Sequence, residues 1–248
     1  TPAERIMMLG FAAVILLGTI LLCLPVSAAD GKSVYWLDAL FTATTSVCVT
    51  GLVTVPTATT WSTFGKIVIL GLIQFGGLGI MACLTMVFLI LRRKISLQSR
   101  KLIQDTYNLP VLKGSVGIVR RLLIGTATVE IAGAVLYSFW FVPEYGFWKG
   151  IGYSLFHSVS AFCNAGFDLM GNFASLTRYV GDPLVNFTIM ALIITGGLGF
   201  SVIVELREHK RFSKLSMHAK LVLTATGVLL MSGMVLFLLF EAGNPATM

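Results

Sequence analysis

The sequence predicts an all-α integral membrane protein assembled from repeated units, each an outer helix, a short re-entrant half-helix, a loop and an inner helix. Three observations predict it: long apolar stretches without charge, basic residues gathered in two loops, and an internal repeat at an offset of 115 residues that lengthens to 120. Of 248 residues, 56% are hydrophobic and 12% charged, about half the ~25% charged residues of a soluble domain. Charge is absent for 24 residues between Arg5 and Asp30, 25 between Lys66 and Arg92, 22 between Asp182 and Glu205, and 20 between Lys220 and Glu241. A helix of about 20 apolar residues crosses a ~30 Å hydrocarbon core, so each stretch is long enough. A fifth span, 122–142, carries charge only at Glu130. The first stretch is not read as a signal peptide, because its apolar run exceeds the ~7–15 residues of an h-region.

The formal charge of +7 is unevenly placed. Eight of the 18 Lys and Arg lie in residues 92–121 and five in residues 207–220. Both segments join membrane spans, so the positive-inside rule makes them, and the N-terminus, cytoplasmic. Nucleic-acid binding is not implied. The opposite loops carry Asp30 and Lys32, then Glu144 and Lys149, then Asp168, Arg178 and Asp182, and they read as external. Cys23, Cys48, Cys83 and Cys163 lack metal-ligand spacing, so neither a disulfide framework nor a zinc site is expected.

Orientation then requires the re-entrant segment. If the first span runs outward and 67–91 returns to the cytoplasm, residues 36–60 must begin and end outside. The segment opens with Tyr35-Trp36 and closes in the small, polar run Thr42-Ala43-Thr44-Thr45-Ser46-Val47-Cys48-Val49-Thr50-Gly51-Leu52. Irregular backbone is tolerated at membrane depth only where protein buries it or it lines a watery cavity. Residues 154–167 align without a gap on 39–52, with Leu40/Leu155, Phe41/Phe156, Cys48/Cys163 and Gly51/Gly166 identical at an offset of 115. Arg5/Arg120, Gly10/Gly125 and Gly18/Gly133 share that offset, and Gly76-Gly77-Leu78-Gly79 falls on Gly196-Gly197-Leu198-Gly199 at 120. The reading divides the chain into a first pore repeat (5–94), a cytoplasmic linker (95–119), a second pore repeat (120–208), and a cytoplasmic loop with the outer helix of a third repeat (209–248). The third unit stops after its outer helix, so the natural chain is expected to be longer.

Backbone carbonyls presented in rings, usually from four loops, can replace the water shell of a potassium ion. Val49-Thr50-Gly51 and Asn164-Ala165-Gly166 each end on a glycine that can take positive φ. Leu52 and Phe167 follow as bulky residues able to anchor the loop in protein. Half-helices at about 36–45 and 150–160 would aim the negative ends of their dipoles at the cation. Thr-Ser-Val-Cys-Val-Thr-Gly-Leu, Ser-Ala-Phe-Cys-Asn-Ala-Gly-Phe-Asp and the paired Gly-Gly-Leu-Gly segments resemble the Trk/Ktr/HKT superfamily of cation transporters. The similarity is greatest to the N-terminal portion of the membrane-subunit type of bacterial Ktr systems. That resemblance implies a potassium-channel-like fold of four repeats around one pore, with Gly51 and Gly166 as filter glycines and Val49, Thr50, Asn164 and Ala165 supplying neighbouring carbonyls. It also implies potassium uptake across the bacterial cell membrane, with sodium as a further ion. Serine at the first filter position tends to accompany sodium transport in the superfamily, so Gly51 implies potassium. As partners it implies the lipid bilayer, a homodimer of the full-length form, and a cytoplasmic ring of nucleotide-binding regulatory subunits. A sodium-selective relative and a non-conducting structural membrane subunit are the alternative readings.

Glu130 is an intramembrane acid, a functional candidate by default, which either meets the ion pathway or hydrogen-bonds a neighbouring helix. Asp168 follows the second filter-like segment at the pore mouth, where it either concentrates cations or is an ordinary surface charge or a cap for the next turn. His157 reads as a packing histidine, since no second His or Cys stands at metal spacing. An intramembrane enzyme would need a catalytic pair at depth. No HExxH occurs, and no span contains Asp, so no enzyme is expected. The Gly-Gly-Leu-Gly segments serve helix packing or bending, and the loop 92–121 is either an interfacial amphipathic helix or a solvated loop.

Overall fold

In the computed structural model the described residues are 2–79, 115–209 and 211–244. The second half of the first inner span, Cys83 and most of the basic 92–121 loop lie outside them. All regular structure among the described residues is helical, apart from a lone antiparallel bridge between Ala28 and Trp61. In chain order the helices are α1 (Pro2–Cys23), α2 (Trp36–Val47), α3 (Thr57–Thr60), α4 (Thr63–Leu78), α5 (Ser115–Tyr145), α6 (Phe147–Phe162), α7 (Pro183–Leu198), α8 (Phe200–Glu208) and α9 (Met217–Glu241). The chain divides into two compact units, Thr1–Ile194 and Thr195–Met248.

Local chemistry sets the boundaries. α1 stops because Leu24 precedes Pro25 and is held extended at ψ 139°, the conformation proline forces on its predecessor. α4 begins at Ser62, whose Oγ accepts from the Gly65 N–H and donates to the Val26 carbonyl at 2.6 Å. That second bond, with Ser62 N–H donating to Ser27 O at 2.8 Å, closes the segment before α4 onto the carboxyl end of α1. Pro143 in the last turn removes a donor and ends α5. Gly146, at φ 82°, then turns the chain into α6.

In the first unit the core forms around α2 and α6. Ala39, Ala43 and Val47 of α2 are buried with Leu22, Ile69, Leu72 and Ile73, while Phe156 and Val159 of α6 are buried with Tyr137 and Phe141 of α5. Glycine makes the closest approaches possible. A Cβ on Gly18 would meet the Leu72 side chain at 2.7 Å, and one on Gly133 would meet Leu192 at 2.8 Å. These two contacts join residues at the offsets of 115 and 120 found in the sequence. In the second unit α8 and α9 pack through Val202, Leu215 and Ala219, and Ser216, the N-cap of α9, donates from N–H and Oγ to the Glu205 carboxylate.

Among the described residues two helices are long and apolar enough to cross a membrane, within Val119–Tyr145 and Met217–Glu241, and three shorter apolar helices end at Cys23, Leu78 and Leu198. Large apolar side chains on α1, α5 and α9 are exposed, Leu16, Ile131 and Leu239 among them. The uncharged stretch 183–204 is not one continuous helix. It breaks at Gly199, which sits at φ 81° and ψ 147°, and α4 ends on Gly79 at φ 81° and ψ 148°. This is backbone that only glycine adopts freely.

Candidate functional site

Both small-residue segments emerge from the carboxyl ends of buried half-helices. α2 has 12 residues and α6 has 16, about 18 and 24 Å at ~1.5 Å per residue, short of the ~30 Å hydrocarbon core. Each ends on a cysteine in helical geometry, Cys48 and Cys163. The next residue, Val49 (φ 55°) or Asn164 (φ 58°), is left-handed, and so is the glycine two further on, Gly51 (φ 76°) or Gly166 (φ 72°). Thr50 and Ala165 between them are not. A backbone that alternates hand at successive residues can turn consecutive carbonyls toward one side, which an ordinary strand cannot do because its side chains and carbonyls alternate. Asparagine tolerates the left-handed region, but a β-branched valine there is a genuine outlier, and such outliers concentrate at functional sites.

The two segments meet at their glycines. A Cβ on Gly51 would lie 2.6 Å from the Ala165 carbonyl oxygen and 3.2 Å from Gly166 Cα; one on Gly166 would lie 3.4 Å from Gly51 Cα. At Gly51 only a residue without a side chain fits this approach, whereas at Gly166 it is the positive φ that selects glycine. The Gly-Gly-Leu-Gly segment of α4 supports the same place from behind. The space a Cβ would take at Gly76 is filled by Val47 O, and at Gly77 by the Cys163 side chain.

Hydroxyls of the half-helices pin both segments. Thr45 Oγ1 pairs with Thr50 Oγ1 and accepts from the Leu52 N–H at 3.1 Å. Ser160 Oγ donates to the Phe167 carbonyl at 2.7 Å. The segment backbones also bond back to the half-helices, Thr50 N–H to Thr45 O at 3.0 Å and Ala165 N–H to Ser160 O at 2.7 Å. Phe167 is buried, as expected for an anchor, whereas Leu52 is 64% exposed. Backbone bonding to Thr45 holds Leu52 in place of side-chain burial.

His157 is buried among Tyr137, Phe141, Tyr153 and Phe156. Its Nδ1 lies 2.8 Å from Tyr153 O, and its Nε2 accepts from the Leu169 N–H at 3.3 Å. It therefore packs, and also fixes the chain beyond the second glycine. Asp168 Oδ1 accepts from the Met170 N–H at 2.9 Å, the turn-capping bond. The same residue lines an open cavity of about 190 Å³ with Asn164, Gly166 and Ser160. Glu130 is buried, and Gln74 Nε2 donates to both its oxygens at 2.9 Å. Among the described residues no group of three His, Cys, Asp or Glu could hold a metal ion.

External to the cavity, Glu144 pairs with Arg178 at 2.6 Å and accepts from the Tyr179 hydroxyl. Burial, reinforced by that bond, raises the Tyr179 phenol above its ordinary value. Sequence reasoning passed over Thr45, Ser160 and Gln74. The signal for Gln74 was available: it is the sole amide in an uncharged span, and amides at membrane depth seek partners.

The arrangement matches known proteins along nearly its whole length. The TrkH family, described as cation transport protein, matches residues 7–244. The Ktr system potassium uptake protein B of Bacillus subtilis is 42% identical over 248 residues, which cover 100% of this chain and 55% of the relative. The potassium/sodium uptake protein NtpJ of Enterococcus hirae is 42% identical over 232 residues, 94% of this chain and 51% of the relative. The Ktr system potassium uptake protein B of Vibrio alginolyticus is 41% identical over 246 residues, 98% and 53%. The chain spans about half the length of these relatives. A family match from residue 7 to residue 244, with such identities behind it, means that this chain belongs to the TrkH family of cation transport proteins.

Proposed function

We propose that this chain forms part of the pore of a potassium uptake transporter of the Ktr/Trk type in a bacterial cell membrane. Potassium sheds its water shell onto the carbonyls of Val49-Thr50-Gly51 and Asn164-Ala165-Gly166. The observation that carries the reading is the paired left-handed pattern, Val49 with Gly51 and Asn164 with Gly166, in two segments whose glycines meet. Each segment also leaves the negative end of a half-helix, where a cation is favoured. Potassium uptake in the names of the Bacillus and Vibrio relatives supports the ion.

On this reading α1–α2–α4 and α5–α6–α7 are two pore repeats, the N-terminus is cytoplasmic and the filters face outside. Asp168 raises the cation concentration at the mouth of the second filter. The full-length form is a homodimer that docks a cytoplasmic ring of nucleotide-binding regulatory subunits. A ring of carbonyls takes about four loops, of which this chain supplies two. Sodium as a second ion is favoured by the potassium/sodium uptake protein of Enterococcus.

The test is rubidium uptake and growth at low potassium in a bacterium stripped of its own potassium uptake systems, carrying the intact gene or its Gly51→Ser variant. Wild type is expected to restore uptake, and the variant to lose potassium preference by about tenfold or more, since a side chain there meets the Ala165 carbonyl. Unchanged preference in the variant would remove Gly51 from the filter. No uptake from the intact gene with its regulatory partner supplied would leave a non-conducting scaffold.

A further inference from the structure

A polar tie crosses apolar surroundings behind the second filter segment. Glu130, midway along α5, is 5% exposed, and the Gln74 amide nitrogen on α4 donates to both its oxygens at 2.9 Å. The other end of that amide, Gln74 Oε1, accepts from the Cys163 thiol at 3.4 Å. Cys163 is the C-cap of α6 and immediately precedes Asn164. From the opposite side, Ser158 Oγ of α6 donates to the Glu130 backbone carbonyl at 2.6 Å. Three helices thus converge on the root of one segment.

The architecture does not require this pair. At an offset of 115 residues the counterpart of Glu130 is Ile15, and at 120 the counterpart of Gln74 is Ile194. Both positions are apolar in the other register, so the two polar residues depart together, across one helix contact. Burying a carboxylate is costly unless it is hydrogen-bonded, and an apolar pair of similar volume is often as stable or more so. What hydrogen bonds add over apolar contact is direction. Gln74 also stands one turn from Gly77, whose missing side chain admits Cys163 against the α4 backbone. The amide and the glycine therefore set the same distance.

The geometry points to Glu130 and Gln74 as positioning residues for the second filter: the pair fixes Cys163 against α4, and through it the Asn164-Ala165-Gly166 carbonyls, so that it sets ion preference without meeting the ion. This rests on the filter reading above. Glu130 acts through Gln74, and both its oxygens face that amide.

The experiment uses the intact gene in the uptake-deficient bacterium and reads the ratio of rubidium to sodium uptake, with the amount of monodisperse protein extracted from the membrane measured in parallel. Gln74→Leu is expected to lower the ratio by roughly tenfold at near-normal protein level, the effect of leaving a buried hydrogen-bonding group unpaired. Glu130→Gln alone is expected to fall between. The exchanged pair Gln74→Glu with Glu130→Gln restores a donor facing an acceptor, and should return the ratio to within about threefold of wild type. A wild-type ratio in Gln74→Leu would overturn the proposal. So would an exchanged pair no better than Glu130→Gln, since the carboxylate would then act from its own position. If Gln74→Leu does not accumulate, the comparison of the exchanged pair with Glu130→Gln decides alone. Gly166→Ser runs beside them: an unchanged ratio there sinks the filter reading itself, whereas a changed ratio with an indifferent Gln74 sinks only the tie.

Discussion

Single hydroxyls on the half-helices hold the two loop segments at Gly51 and Gly166, and they differ in what they hold. Ser160 Oγ reaches across the chain reversal to the Phe167 carbonyl, while Thr44 Oγ1 only returns to Leu40 O within its own helix. Replacing Ser160 with alanine leaves a buried carbonyl without that donor, a loss of about 1–3 kcal/mol, and the strain falls on the residue after Gly166. Ser160→Ala is therefore expected to raise the apparent KM for rubidium severalfold, and Thr44→Ala to leave it within error, in the same uptake assay. Equal behaviour of the two variants would mean that the hydroxyl is not a pin. Gly51 and Gly166 were legible in the sequence because a repeat aligned them and because positive φ selects glycine. Ser160, Thr45 and Gln74 were not, because their partners lie across a turn or on another helix, and composition carries no trace of that proximity. Glu130 was legible as a buried acid; which group faced it was not.

Helix lengths, by contrast, follow closely from where charge is absent and where proline and glycine stand. The half-helices extend two residues past the expected ends, to Val47 and Phe162, because Ser46, Val47 and Ala161 are buried against the core and packing prolongs a helix that propensity would stop. The inner span shows the opposite. Its hydropathy runs on to Glu205, yet the helix breaks at Gly199, since hydropathy senses burial and is blind to backbone hand. The Gly-Gly-Leu-Gly segment thus serves both packing, at Gly76 and Gly77, and conformation, at Gly79 and Gly199. Glycine substitutions in the intact protein separate these uses. Gly71 has nothing within 4 Å of an added Cβ, so Gly71→Ala is expected to be neutral or to stabilise by up to about 1 kcal/mol. Gly199→Ala forces a side chain into a region reserved for glycine, a cost of about 1–3 kcal/mol. Thermal unfolding of the detergent-solubilised protein should rank Gly71→Ala at or above wild type and Gly199→Ala below it. The reverse order would mean that the break at Gly199 is not held by its backbone conformation.

At the scale of the molecule, the exposed apolar surface and the two meeting segments point the same way. Leu229, Leu239 and Phe240 on α9 are more than two-thirds exposed, as are Met8 and Leu9 on α1, which water does not tolerate over so long a surface. Lipid or further protein must cover them. The two segments meet at Gly51 and Gly166, so on the filter reading they would be neighbours in an unclosed ring, not the whole of one. Dehydrating potassium on half a ring leaves part of its hydration energy unreplaced, and the ion would not enter. Uptake is therefore expected from the intact gene and not from these 248 residues expressed alone, although the shorter chain should still be found in the membrane fraction and require detergent for extraction. Rubidium uptake from the short chain at a tenth or more of the full-length rate would mean that copies of it close the ring between themselves. Cross-links between cysteines introduced at Leu52 of two copies would then identify the contact, because Leu52 is exposed immediately after Gly51.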